Sequence, residues 1–120
     1  MTTTQYPQPS PRASWVPVCP AERIQPERGV AALLPGGAQA AVFRTHDGSL
    51  YALANTDPFS GAAVLSRGIV GDRGGVPIVT SPLHKQAFDL RTGGCLDDPT
   101  VAVRTYPARV AAGTVLIGSP

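Results

Sequence analysis

The sequence predicts an all-β fold, an antiparallel sandwich or barrel interrupted by one small loop-rich subdomain, and three features carry that expectation. Thirteen glycines and thirteen prolines punctuate apolar segments rich in Val, Leu and Ala, which favours short strands and tight turns over long helices. Strand-like runs recur at regular spacing, and the Asp47-Gly48 pair between two of them is a strong hairpin signal. Residues 55–75 break the rhythm, with Gly61, Gly68, Gly71, Gly74 and Gly75 spread through them.

Trp15-Val16-Pro17-Val18-Cys19 opens the ordered domain as a strand, with Trp15 as its aromatic anchor. Residues 30–34 form the next strand, Gly36-Gly37 turns the chain, and residues 39–45 run back. His46-Asp47-Gly48-Ser49 turns it again into residues 50–54, so 30–54 reads as a meander of three antiparallel strands. Residues 61–67 have room for at most about two helical turns. Gly71-Asp72-Arg73-Gly74-Gly75 reads as a turn leading into a strand over 76–80. It lacks the Lys-Ser/Thr ending of a phosphate loop and precedes a strand instead of a helix. Further strands are expected over 86–90, 101–106 and 114–117, with a turn at 91–94. A segment as long as 55–75 inside a compact domain usually has a functional or binding reason. No internal repeat is visible.

At 120 residues the chain suits one domain, able to bury roughly two-thirds of its unfolded surface without metal or disulfide support. Residues 1–13, rich in Thr, Gln, Pro and Ser, are expected to be a disordered tail, and residues 14–120 the domain. The tail has no apolar core of a secretory signal, and no apolar run approaches the roughly 20 residues of a membrane helix. The cytoplasm is the default compartment and no membrane partner is expected. Ten Lys+Arg against eight Asp+Glu give a net charge of only +2, no electrostatic case for nucleic acid. A charged fraction of 15% is low and suits a surface that meets a partner. Cys19 and Cys95, far apart and without neighbouring histidines, are expected as structural thiols in a reducing compartment.

Two segments carry the chemistry. They are Asn55-Thr56-Asp57-Pro58-Phe59-Ser60-Gly61 and Ser81-Pro82-Leu83-His84-Lys85-Gln86-Ala87-Phe88, the second continuing through Asp89-Leu90-Arg91-Thr92-Gly93 and Cys95-Leu96-Asp97. Together they resemble the two ligand loops of a Rieske ferredoxin domain, written Cys-Pro-His and Cys-Pro-x-His in that family. The resemblance spans roughly residues 15–117 and implies an antiparallel sandwich with a cluster-binding subdomain made by the two loops. Asp57, Phe59, Ser81 and His84 stand at the four ligand positions. A Rieske centre needs two thiolates on one iron and two imidazoles on the other, so one surviving imidazole cannot hold it. Phe59 offers no donor and fills the volume an imidazole would use. A single metal on Asp57 and His84 would need a third ligand, and the sequence nominates none.

Within the cluster-less relatives, the run from Asn55 through Asp72 and the second segment through Pro99 closely resemble the small subunits of cytoplasmic NAD(P)H-dependent nitrite reductase. That family is expected to carry Tyr where this chain has His84. The resemblance implies a non-catalytic subunit without cofactors of its own. Its partner would be the large subunit, which carries FAD, [4Fe-4S] and siroheme and reduces nitrite to ammonium, in nitrate assimilation or nitrite detoxification. Phe59, Leu83, His84 and Lys85 are the candidates for docking on that subunit, Phe59 and Leu83 as apolar anchors. Arg67, Arg73, Lys85 and Arg91 could meet a negatively charged partner, although loop charges are usually only solvated.

Two other readings compete. One is a Rieske-type ferredoxin that carries electrons itself. The other is a stand-alone hydrolase using Ser81, His84 and Asp57, the residue set of a nucleophilic triad. No Gly-x-Ser-x-Gly pattern surrounds Ser81.

Overall fold

Ala40, Ala41, Val42 and Phe43 are four consecutive buried apolar residues, and a strand that buried only one face would alternate instead. The computed structural model, which describes residues 15–118, shows why. Its strands are β1 (Trp15–Pro20), β2 (Arg28–Leu33), β3 (Gln39–Arg44), β4 (Leu50–Ala54) and β5 (Ile69–Arg73). They continue as β6 (Val76–Thr80), β7 (Ala87–Asp89), β8 (Thr105–Tyr106), β9 (Ala108–Ala111) and β10 (Thr114–Gly118). These form three antiparallel sheets, ordered β1-β10-β9, β2-β3-β4-β8 and β5-β6-β7.

The β2-β3-β4-β8 sheet lies between two cores. Ala41, Phe43 and Leu53 pack with Leu65, Val79, Phe88 and Leu90 on one face. Ala40, Val42 and Ala52 pack with Ile24, Val115 and Ile117 on the other. Because successive side chains of a strand point to opposite faces, every inner position of β3 must be apolar.

The expected meander is present, with Val30 opposite Val42 and Val42 opposite Ala52. Its Asp47-Gly48 turn is tied by the Thr45 hydroxyl, which donates to Asp47 Oδ1 at 2.5 Å, and by the Ser49 N–H on the same oxygen at 3.1 Å.

Elsewhere the structure corrects the expectation. The turn expected over 71–75 shrinks to Gly74-Gly75, because Ile69–Arg73 pairs along the whole of β6 as an edge strand. Residues 61–67 form no α-helix; a single 3₁₀ turn covers Leu65–Arg67 and plugs buried Leu65 into the core. The strand expected over 101–106 is regular only at Thr105–Tyr106, with Ala102 bridging Gly94 before it. Pro107 is followed by β9, which pairs with β10 and was not expected. The expected tail, residues 1–13, lies outside the described residues.

Cys95 is buried in the core of the β5-β6-β7 side, and Cys19 is half-buried beside the other core; both are free thiols. Burial pushes the Cys19 thiol up from its ordinary pKa, so it resists forming the reactive thiolate. No helix among the described residues is long and apolar enough to cross a membrane.

Candidate functional site: a tip made by two matching loops

The loop after β4 and the loop between β6 and β7 share one hydrogen-bond pattern, although their sequences share only a proline. In the first, the Asp57 carbonyl accepts from the Gly61 N–H (2.7 Å), and the Asp57 N–H donates to the Ala62 carbonyl (2.8 Å). Asp57 Oδ1 accepts from the Phe59 N–H at 2.8 Å. In the second, Ser81 takes the part of Asp57. Its carbonyl accepts from the Lys85 N–H (3.1 Å), its N–H donates to the Gln86 carbonyl (2.9 Å), and its Oγ accepts from the Leu83 N–H (3.3 Å). Short polar side chains suit this role because they bond to the backbone two residues on, and proline suits the position after them.

Gly61 and Lys85 occupy the same left-handed slot, with φ of 77° and 65°. A third turn of the same build follows β7. Asp89 accepts from Arg91 and Gly93 and donates to Gly94, and the left-handed slot is filled by Gly93, φ 81°.

The heads of the two loops meet. The Ser81 hydroxyl donates to Asp57 Oδ2 at 2.5 Å, and both residues are fully buried. Beyond this bond the tip faces outward: Phe59 is 37% exposed, Leu83 is 50% exposed, and His84 and Lys85 are exposed as well. Phe59 also leans on the core, its ring centroid 6.3 Å from that of buried Phe88 at a tilt of 47°, within the range of a favourable aromatic pair. The structure thus leaves Phe59, Leu83, His84 and Lys85 exposed on two loops whose buried heads, Asp57 and Ser81, meet.

Asn55 was missed in the sequence reading. It is buried, its Oδ1 accepts from the Ser66 N–H (2.7 Å) and its Nδ2 donates to Gln39 Oε1 (3.1 Å), so it fixes the root of the first loop to β3 and to the 3₁₀ turn. An Asn at the end of an apolar strand, before a loop, was the available signal.

The site does not suit the two chemistries that compete with docking. In a nucleophilic triad the carboxylate orients a histidine that faces the serine. Here the carboxylate accepts the serine hydroxyl's hydrogen bond directly, Ser81 has no exposed surface, and His84 bonds to neither among the described residues. A [2Fe-2S] cluster fits no better. The positions of its two thiolates hold oxygens in direct contact, whereas a tetrahedral metal with both oxygens at about 2.1 Å would hold them roughly 3.4 Å apart. Phe59 contributes no donor atom, and among the described residues no group of three His, Cys, Asp or Glu side chains is placed to hold a metal ion.

Comparisons with known proteins bear on the fold and the family. Residues 14–118 match the Rieske-like [2Fe-2S] domain family. The small subunit of the NADH nitrite reductase of Escherichia coli K12 is 43% identical over 104 residues, covering 86% of this chain and 95% of that one. A crystal structure assigned as an NADH-dependent nitrite reductase small subunit from Mycobacterium tuberculosis superposes with a TM-score of 0.87 at 53% identity, covering 90% of this chain and 96% of that one. The NAD(P)H nitrite reductase large subunit of Klebsiella oxytoca is 45% identical over 109 residues, covering 91% of this chain but only 11% of that longer protein. The chain therefore belongs to the Rieske-like domain family and, within it, to the small subunits of NAD(P)H-dependent nitrite reductase.

Proposed function

We propose that this chain is a non-catalytic subunit that docks its loop tip on the large subunit of nitrite reductase. The reduction of nitrite to ammonium then takes place on FAD, [4Fe-4S] and siroheme held by the large subunit, in the cytoplasm, as a step of nitrate assimilation or nitrite detoxification. The docking domain is residues 14–120, and its contact residues are Phe59, Leu83, His84 and Lys85.

The observation that carries this reading is the buried Asp57–Ser81 hydrogen bond. It joins the two loop heads where a metal centre would otherwise join them, and so holds together the loops that carry half-exposed Phe59 and Leu83. A preformed apolar tip loses little side-chain freedom on binding. The choice of partner is supported by the Klebsiella oxytoca protein, in which a segment like this chain forms part of the polypeptide named the large subunit.

Changing Phe59 and Leu83 together to Asp is expected to weaken copurification with the large subunit at least tenfold while the isolated chain keeps its fold. Undiminished copurification rejects the tip as the contact. The ferredoxin reading has its own test, iron and sulfide analysis of anaerobically purified chain, where stoichiometric iron and sulfide would replace the docking role with electron carriage.

A further inference from the structure

Three turns of identical hydrogen-bond pattern each place one residue in the left-handed region, and two of the three use glycine, Gly61 and Gly93. The third uses Lys85. A side chain with a Cβ is strained at that φ, and such strain concentrates at functional positions because the surroundings must enforce it. Nothing in the turn itself asks for lysine. Lys85 is exposed, and its side chain has no ion-pair or hydrogen-bond partner among the described residues.

The charges around it are uneven. The two loops that form the tip contain one carboxylate, Asp57, which is buried and already engaged by the Ser81 hydroxyl and the Phe59 N–H. The nearest carboxylate along the chain beyond Lys85 is Asp89, which is mostly buried and grips Arg91 through both of its oxygens. Asp97, whose Oδ2 accepts from the Ala87 N–H, is held by Arg73. Within the two matching turns, residues 57–62 and 81–86, Lys85 is therefore an exposed cation with no exposed carboxylate beside it in the chain, and it shares that surface with half-exposed Phe59 and Leu83.

We infer that Lys85 is the charged contact of the tip, and that the surface receiving it on the large subunit is an apolar socket bordered by carboxylates. This rests on the docking role proposed above and specifies the chemistry of the partner. The left-handed backbone fixes the direction in which the side chain leaves the loop, and charge complementarity then sets orientation and speeds encounter.

The test titrates purified large subunit with the full-length chain at low and high salt, alongside urea unfolding of each variant. Lys85→Gly is expected to raise the urea midpoint, because it relieves the strain, yet to weaken binding about fivefold at low salt. Lys85→Glu should weaken it about fiftyfold, Lys85→Arg should bind as the parent does, and these differences should contract at 0.5 M salt by roughly the extent that screening removes exposed-charge interactions. Parent-like binding by both Lys85→Gly and Lys85→Glu overturns the inference, and docking at the tip stands if the Phe59 and Leu83 double variant is still impaired. Parent-like binding by all of these variants overturns the docking role as well.

Discussion

Gly61 and Gly93 hold the same slot in two turns of the same build, yet a methyl group added at each would meet different surroundings. At Gly61, φ 77°, the space around a Cβ is open for 4 Å. Gly61→Ala should therefore cost only the conformational penalty, about 1 kcal/mol. At Gly93, φ 81°, the Cβ would run into the carbonyl of Val103, which is backbone and cannot swing aside. The Val103 N–H is itself bonded to the Gly93 carbonyl at 2.8 Å, so the two segments cannot separate without losing that bond. Gly93→Ala should cost about 3 kcal/mol or more. Urea unfolding of the two variants separates a purely conformational effect from a steric one, and equal losses would show that the Val103 segment yields. The slot was not legible beforehand. Asp-Pro-Phe-Ser-Gly-Ala and Ser-Pro-Leu-His-Lys-Gln share only a proline as strings, because two of the three bonds of the repeat are main-chain bonds that any residue can make and the third needs only a short polar side chain at its head. The positions of Asp57, Phe59, Ser81 and His84 were legible through family spacing. That the Ser81 hydroxyl would donate its hydrogen bond to Asp57, and not to His84, needed coordinates.

Among elements, the turns carry the pH dependence. Asp47 in the β3–β4 turn has its carboxyl lowered to about 2, first by the Thr45 hydroxyl and then by Ser49. Asp89 and Asp97, on either side of the turn after β7, are also lowered, Asp89 chiefly by the Arg91 hydrogen bond and Asp97 chiefly by the Ala87 N–H. Asp98 is lowered by Thr100. A carboxyl lowered in the folded state binds fewer protons there than in the unfolded chain, so stability rises with pH across the window between the two values. The contribution is complete above the unfolded value near 4 and is lost as pH falls toward about 2. The urea midpoint should hold steady from pH 7 to 5 and decline between about pH 4 and 2. Thr45→Val removes the main cause of the Asp47 shift, and a carboxyl-detected titration should then find Asp47 closer to an ordinary aspartate; an unmoved midpoint would assign the shift to Ser49 alone. The same turns show which elements a sequence reveals. Asp47-Gly48 marks the β3–β4 hairpin because local bonds decide it. β5 was hidden because Gly71-Asp72-Arg73-Gly74-Gly75 has the composition of a turn, and only pairing with β6 makes it a strand. β9 was hidden for the same reason: Val110 and most of its neighbours are exposed, so no burial pattern marks it, and its register comes from β10.

For the molecule as a whole, the consequence of the shared sheet is cooperativity. β3 contributes Ala41 and Phe43 to the core beneath the tip and Ala40 and Val42 to the core under β1 and β10. Neither core can be exposed while β3 keeps the other, because the two sets of side chains alternate along one backbone. The loop tip is coupled to this unit through Phe59 on Phe88 and through Asn55, which reaches β3 at Gln39. A subdomain joined by loops alone would be free to unfold first, as low-stability segments do. Here the shared strand predicts a single transition. The chain provides separated probes: its one tryptophan, Trp15, lies on β1 under the Arg109 guanidinium at 4.3 Å, while Leu65 and Val79 sit in the core beneath the tip. Urea unfolding followed by Trp15 fluorescence and by the methyl resonances of Leu65 and Val79 should give coincident midpoints and slopes. Methyl signals lost at lower urea than the fluorescence would mean that the tip side melts by itself, and a rigid docking tip would then need the large subunit to hold it. In Phe43→Ala, about 4 kcal/mol less stable through the cavity it opens on one face only, the two probes should still move together; their separation in that variant would locate the limit of what one strand can couple.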